Sequence, residues 1–247
     1  MPKTDTLSES LVRASRKLSR QCMAIDFGDA APWIYNPIQY AKAMHEQYLE
    51  RFAKPSCRVL FLGMNPGPWG MSQTGVPFGE IAAVRDYLKL SAKVKKPKRE
   101  HPKRPVEGLD CPRSEVSGRR LWGLFAERYP DPDDFFADHF VSNFCPLVFM
   151  EESARNITPD KLPAAYRSQL QDVCDAHLTT LIQAIQPDWI VGVGAFAESC
   201  AKRVVDGLDL LRPDIGRILH PSPASPAANK DWAGTATKQL IELGIWA

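Results

Sequence analysis

The chain has 247 residues, of which 44% are hydrophobic and 24% charged, and its formal net charge is +2. This supplies one substantial core and excludes global disorder, while the small total charge marks no class of partner. The six cysteines, at 22, 57, 111, 145, 174 and 200, form no CxxC pair, which argues against a zinc ribbon or a secreted disulfide framework.

In chain order, spaced apolar positions predict an amphipathic helix over Leu7 to Gln21. Pro37 opens a second helix reaching Phe52, since proline at a first helical position loses no bond. CRVLFLGM, Cys57 to Met64, reads as a buried strand and runs into NPGPWG, which must end regular structure. A helix is expected to follow Phe78 and reach about Leu90. Between Lys89 and Arg104 lie eight Lys or Arg residues, opposed only by Glu100, in a proline-bearing loop. This run suits either phosphate contact or a solvated loop.

Ser114 to Tyr129 reads as a helix weakened by Gly118 and Gly123. HFVSNFC, His139 to Cys145, reads as a strand stopped by Pro146, and Cys57 and Cys145 read as buried thiols. Thr158-Pro159 can cap a helical turn before a long helix over Ala164 to Ile185. DWIVGVG, Asp188 to Gly194, is a third strand, and Ala195 to Val205 returns as a helix. Arg217 to His220 is a short fourth strand, and Asp231 caps a final helix reaching about Leu243. Strands alternating with helices favour a parallel sheet covered on both faces. We expect one domain over 1–247 with a peripheral N-terminal helical segment. No signal peptide and no membrane-length apolar run are evident, so an intracellular location is expected.

Three polar segments follow proposed strands, where open α/β sheets place ligands. In GMNPGPWGMSQTGVPFGE, Gly63 to Glu80, the glycines permit close backbone approach, Asn65 can hold a water and Phe78 can stack on a planar ligand. The segment fits neither GxxxxGKT nor GxGxxG, so nucleotide-cofactor binding gains no support. In HFVSNFCPL, the Asn143 amide can accept from N3–H of uracil and donate to O4, whereas cytosine reverses that polarity. In HPSPASPAANKDW, neutral His220 can donate to O2 of a departing uracil. Structural roles are open for all three: a loop cap for Asn65, a satisfied buried amide for Asn143, a turn-fixing imidazole for His220. His45, His101, His139 and His177 read as structural. The histidines lack metal-ligand spacing, so no metal or cofactor is expected.

Taken together, these segments resemble the single-strand-selective monofunctional uracil-DNA glycosylases of the uracil-DNA glycosylase superfamily. GLDCPRSEVSGRRLWG at Gly108–Gly123 and RNITP at Arg155–Pro159 also fit that branch, and the likeness spans roughly residues 30–245. It implies a single αβα sandwich with a four-stranded parallel sheet. It implies excision of uracil, and of 5-hydroxymethyluracil, from single- and double-stranded DNA in base excision repair. Residue by residue, Asn65 corresponds to the water-positioning group, His220 to the leaving-group stabiliser, Asn143 to the uracil-reading amide and Phe78 to the stacking ring. Met64 and Gly67 correspond to the backbone-lined pocket. Pro221, Ser222, Pro223, Ala224, Ser225, Pro226, Asn229 and Lys230 fall in the DNA-insertion motif, and Lys95, Lys96 and Lys98 are candidate phosphate contacts. Better-known animal members carry an arginine where this chain has Ala224. No acidic residue stands at position 65, so water orientation replaces strong proton abstraction. A monomer is expected, in the cytoplasm or nucleoid of a bacterium or the nucleus of a eukaryote. The alternatives are a catalytically weak module that binds damaged DNA and a hydrolase of free nucleosides.

Overall fold

The computed structural model describes residues 6–55, 57–209 and 212–247. Residues 1–5, 56, 210 and 211, which fall within the expected 1–247 domain, lie outside the described residues. The chain begins with α1 (Leu7–Met23), β1 (Trp33–Tyr35), α2 (Pro37–Tyr40), α3 (Lys42–Phe52), β2 (Val59–Gly63) and α4 (Met71–Thr74). Next come α5 (Val116–Arg128), α6 (Pro132–Phe136), β3 (His139–Asn143), β4 (Val148–Met150) and β5 (Asn156–Ile157). The last part holds α7 (Ala164–Ile185), β6 (Trp189–Val193), α8 (Ala195–Asp206), β7 (Asp214–Ile218) and α9 (Pro226–Glu242).

The expected four-stranded sheet is present, in the order β3-β2-β6-β7 and parallel throughout. Every residue of β2 is buried, as a central strand covered on both faces must be. Helices pack around the sheet in the expected αβα arrangement. An aromatic group centred on Phe125, Phe135 and Phe61 fills one side of the core, with Phe125 and Phe135 stacked at 4.4 Å. Helix α1 starts at a capping box: Thr6 Oγ1 accepts from the Glu9 N–H, and the Glu9 carboxylate accepts from the Thr6 N–H. Its apolar stripe, Leu11, Val12, Leu18 and Cys22, is buried where α1 meets α3 and α7.

Several expected boundaries moved for local reasons. The helix expected from Pro37 to Phe52 is divided at Ala41. The helix expected after Phe78 begins at Ile81 and continues as a single π turn over Ala83–Tyr87, while Phe78 itself sits at φ +52°, outside the helical region. Strand β7 runs from Asp214 to Ile218, so His220 lies two residues beyond it rather than at its end. Helix α9 begins at Pro226, but Asp231 is extended and its carboxylate accepts from the Gly234 N–H. The expected cap at Asp231 therefore exists inside what is otherwise one helix. A second sheet, β1-β4-β5, is antiparallel and built from strands of two or three residues.

Helix α5 fixes the segment that carries Phe78. Trp122 Nε1 donates to the Pro77 carbonyl at 3.2 Å, and Gly118 faces the Phe78 carbonyl so closely that a Cβ there would collide with it. Gly123, one and a half turns further along, has open space around it. The two glycines of α5 therefore predict opposite outcomes. Gly123→Ala should stabilise by about 1 kcal/mol through helix propensity, raising Tm by roughly 2–4 °C. Gly118→Ala should destabilise by about 1–3 kcal/mol through overpacking. Thermal melts of both variants check this; equal shifts of the same sign would contradict it.

Candidate active site

In the sheet register Gly63 pairs with Asn143, so β2 and β3 end side by side. The pairing continues one step beyond: the Phe144 N–H donates to the Gly63 carbonyl and the Cys145 N–H to the Met64 carbonyl, each at 2.9 Å. Asn65 and Asn143 thereby open into the same space. The third segment arrives from β7. Both polar groups of Leu219 are held by α9, its N–H by Gln239 Oε1 and its carbonyl by Trp232 Nε1, each at 2.7 Å. His220 follows and lies against Gly194.

These segments enclose a cleft of about 490 Å³. Met64, Asn65, Gly67, Phe78, Asn143 and His220, all six pocket positions read from the sequence, line it together with Ser222 and Pro223. Asn65 Nδ2 donates to the Leu147 carbonyl at 3.1 Å, which fixes the amide and leaves Oδ1 as its acceptor. Asn143 is buried; its Nδ2 reaches only the soft sulfur of Met71 at 3.2 Å, and its Oδ1 is buried with no hydrogen-bond partner. A buried, unpaired carbonyl oxygen costs about 1–3 kcal/mol, so one on a residue that lines a cleft calls for a donor. His220 Nδ1 accepts from the Ser222 N–H at 3.1 Å, which puts the ring proton on Nε2. Burial holds this imidazole below its usual pKa, so it is a neutral donor at neutral pH. The Phe78 and His220 rings lie 6.5 Å apart, tilted by 47°. The left-handed backbone at Phe78 is the kind of strain that persists where packing over-determines it, here under α5.

Four lining residues escaped the sequence reading: Glu115, Ser117, Asn156 and Thr158. Their signal lay in SEVSG and RNITP, which matter as segments but carry no chemistry recognisable from spacing. Glu115 stands just before α5 and turns its carboxylate back to the 67–70 turn, accepting from the Trp69 N–H at 3.2 Å. Gly67 and Gly70 lie so close to it that a Cβ on either would meet the carboxylate. Burial pushes Glu115 up to about 7, against the lowering pull of the Trp69 and Gly70 N–H groups.

The proline-rich loop after His220 is closed on itself. Asn229 Nδ2 donates to the Pro223 carbonyl, and Arg120 donates to both Asn229 Oδ1 and the Pro221 carbonyl. Ser225 caps α9, leaving Pro223, Ala224, Pro226, Asn229 and Lys230 exposed. Lys95, Lys96 and Lys98 are exposed, and none lines the cleft. Lys96 pairs with Glu100 at 3.0 Å. Their loop is tied down, through the Lys95 N–H to the Tyr40 carbonyl and Arg99 to the Pro32 carbonyl. His45, His101 and His139 each meet a backbone carbonyl, in keeping with structural roles.

The family described as the Uracil DNA glycosylase superfamily matches residues 50–241. A Bos taurus protein named single-strand selective monofunctional uracil DNA glycosylase is 46% identical over 244 residues, covering 99% of this chain and 89% of that one. The Mus musculus protein of the same name is 46% identical over 245 residues, covering 99% and 88%. In fold, the chain is similar to the crystal structure of Pedobacter heparinus SMUG2, with a TM-score of 0.63 at 15% identity over 94% of this chain and 97% of that one. The chain belongs to the uracil DNA glycosylase superfamily.

Proposed function

We propose that this chain is a monofunctional glycosylase that hydrolyses the N-glycosidic bond of uracil in DNA and leaves an abasic site. The observation that carries the reading is the buried, unpartnered Asn143 Oδ1 at the end of β3. It accepts from N3–H of a flipped uracil while Nδ2 donates to O4, and cytosine would leave both groups mismatched. Phe78 stacks on the base. Asn65, held through Nδ2 by the Leu147 carbonyl, accepts a hydrogen bond from the attacking water at Oδ1 and so aims the water's lone pair at C1′. The C1′–N1 bond breaks with its electron pair leaving on uracil, and the charge that gathers at O2 is met by His220 Nε2–H. Water oxygen then bonds to C1′ and its proton is lost to solvent. No carboxylate stands at position 65, so departure of the base runs ahead of water attack, and DNA phosphates stabilise the positive sugar.

The proposal extends to 5-hydroxymethyluracil, bounded by Met64 and Gly67, and to duplex as well as single-stranded DNA, in which the Pro221–Pro226 loop, with Pro223, Ala224 and Pro226 exposed, and Asn229 and Lys230 lie against the strand. It covers residues 1–247 acting as one unit and as a monomer, inside the cell, in cytoplasm or nucleoid or in a nucleus. No helix among the described residues is long and apolar enough to cross a membrane.

The test is a panel of labelled oligonucleotides, each with one lesion, cleaved by alkali after single-turnover reaction. Uracil strands should become alkali-labile with loss of free base; binding without release, or release from free nucleosides alone, would contradict the proposal. Asn65→Ala and His220→Ala should each slow release by about 10²–10³-fold with unchanged circular dichroism. A near-wild-type rate in either would remove that residue from the chemistry.

Glu115 adds a pH dependence. Because its pKa is raised to about 7, it is neutral below that pH and anionic above it. An anion in the cleft wall opposes the charge that builds on uracil. Excision by the native chain should therefore fall several-fold as pH rises through about 7, and Glu115→Gln should abolish that step. A step that persists in Glu115→Gln would assign it elsewhere.

A further inference from the structure

Trp69 sits beside the cleft, next to the lining residue Pro68, with its N–H on Glu115. Two guanidiniums lie over its indole ring, Arg113 at 4.5 Å and Arg104 at 5.0 Å from the centroid. The segment that brings Arg104 is fastened to the cleft wall by Gln73. Its Nε2 donates to the carbonyls of Pro68 and Pro105, and its Oε1 accepts from the Glu107 N–H. The Arg104 carbonyl accepts from Tyr35 Oη at 2.7 Å, so the backbone there is fixed as well.

Neither arginine forms an ion pair among the described residues, whereas Arg16, Arg58, Arg85, Arg155, Arg203 and Arg217 all do. Arg104 Nη1 has only a long contact to the Lys103 carbonyl at 3.4 Å, and its buried Nε has no partner. Arg113 is exposed. Two cations gathered on one ring without a carboxylate repel each other. The ring's negative face offsets part of that, and an anion offsets the rest.

We propose that Arg104 and Arg113, presented on Trp69, clamp backbone phosphates of the DNA strand that feeds the cleft. The planar guanidinium fork suits phosphate oxygens, and stacking on the indole pre-orients it. The site rests on the glycosylase reading for its ligand. None of Arg104, Arg113, Lys95, Lys96 and Lys98 lines the cleft, but the two arginines flank Trp69, which adjoins the lining residue Pro68, whereas Lys96 is already paired with Glu100.

The test measures fluorescence anisotropy of an undamaged single-stranded oligonucleotide at several salt concentrations, a measurement that needs no excision. Each phosphate contact on a single strand contributes about 0.7 to the slope of log affinity against log salt. Arg104→Ala with Arg113→Ala should lower affinity and reduce that slope by about 1.4. Arg113→Ala alone, at an exposed site where folding is not at stake, should reduce it by about 0.7, and Arg113→Lys should restore it. Replacing Lys95, Lys96 and Lys98 together should change the slope less than the arginine pair does. A slope unchanged by Arg113→Ala, or a larger loss from the three lysines than from the two arginines, would overturn the clamp. Uracil release by the native chain, measured separately, tests the glycosylase reading, so failure of one is distinguishable from failure of the other.

Discussion

A Cβ on Gly63, at the C-terminal end of β2, would stand about 2.5 Å from the Phe78 ring and closer still to Asn143 Oδ1. The cleft depends on that missing side chain. Because β2 and β3 pair in parallel with Gly63 opposite Asn143, the amide of one strand folds over the bare end of the other and the aromatic ring closes from above. The remaining contacts defend this arrangement. Gly118 and Trp122 hold the Phe78 turn, the Leu147 carbonyl holds Asn65, and Trp232 and Gln239 hold Leu219 just ahead of His220. Side chains lining the cleft on this frame are rigid because their backbones hang from strand ends and their polar atoms are anchored from behind.

The site is electrically quiet. His220 is neutral with its proton on Nε2, the two asparagines carry no charge, and the one carboxyl in the wall is shifted upward by burial. Such a cleft does not pull a proton from water strongly. It suits a reaction in which the leaving group departs first and the enzyme supplies donors where negative charge grows, while the positive sugar is left to the DNA's own phosphates. The neutral imidazole follows from the local turn: the Ser222 N–H occupies Nδ1, and little water reaches the ring.

The parallel sheet was legible in the sequence because VLFLG, HFVSN and WIVGV are short apolar runs closed by turn residues, and burial on both faces requires that pattern. The placing of Asn65, Asn143 and His220 at or just beyond strand ends followed from the same reading, and the cleft does join them. Strands β1, β4 and β5 were illegible because two or three residues cannot display a period. The left-handed backbone at Phe78 was hidden because φ +52° is imposed by α5 from outside the segment. Glu115 fell inside the helix expected from Ser114; only tertiary packing turns it into the cleft wall. The basic run suited either phosphate contact or a solvated loop, and nothing in it announced that its backbone is pinned to Tyr40 and its arginines sit on Trp33 and Trp69.

The central claim is that Asn143 Oδ1 reads the base by accepting from N3–H. The most direct measurement compares single-turnover release from two identical single strands, one with uracil and one with N3-methyluracil. Methylation removes that donor and sets a methyl group against the carbonyl oxygen, while O2, O4 and the glycosidic bond stay in place. The account predicts release of uracil and a loss of at least about 10²-fold with N3-methyluracil, since a buried acceptor is left unpaired and crowded. Release of N3-methyluracil at the rate of uracil would contradict it.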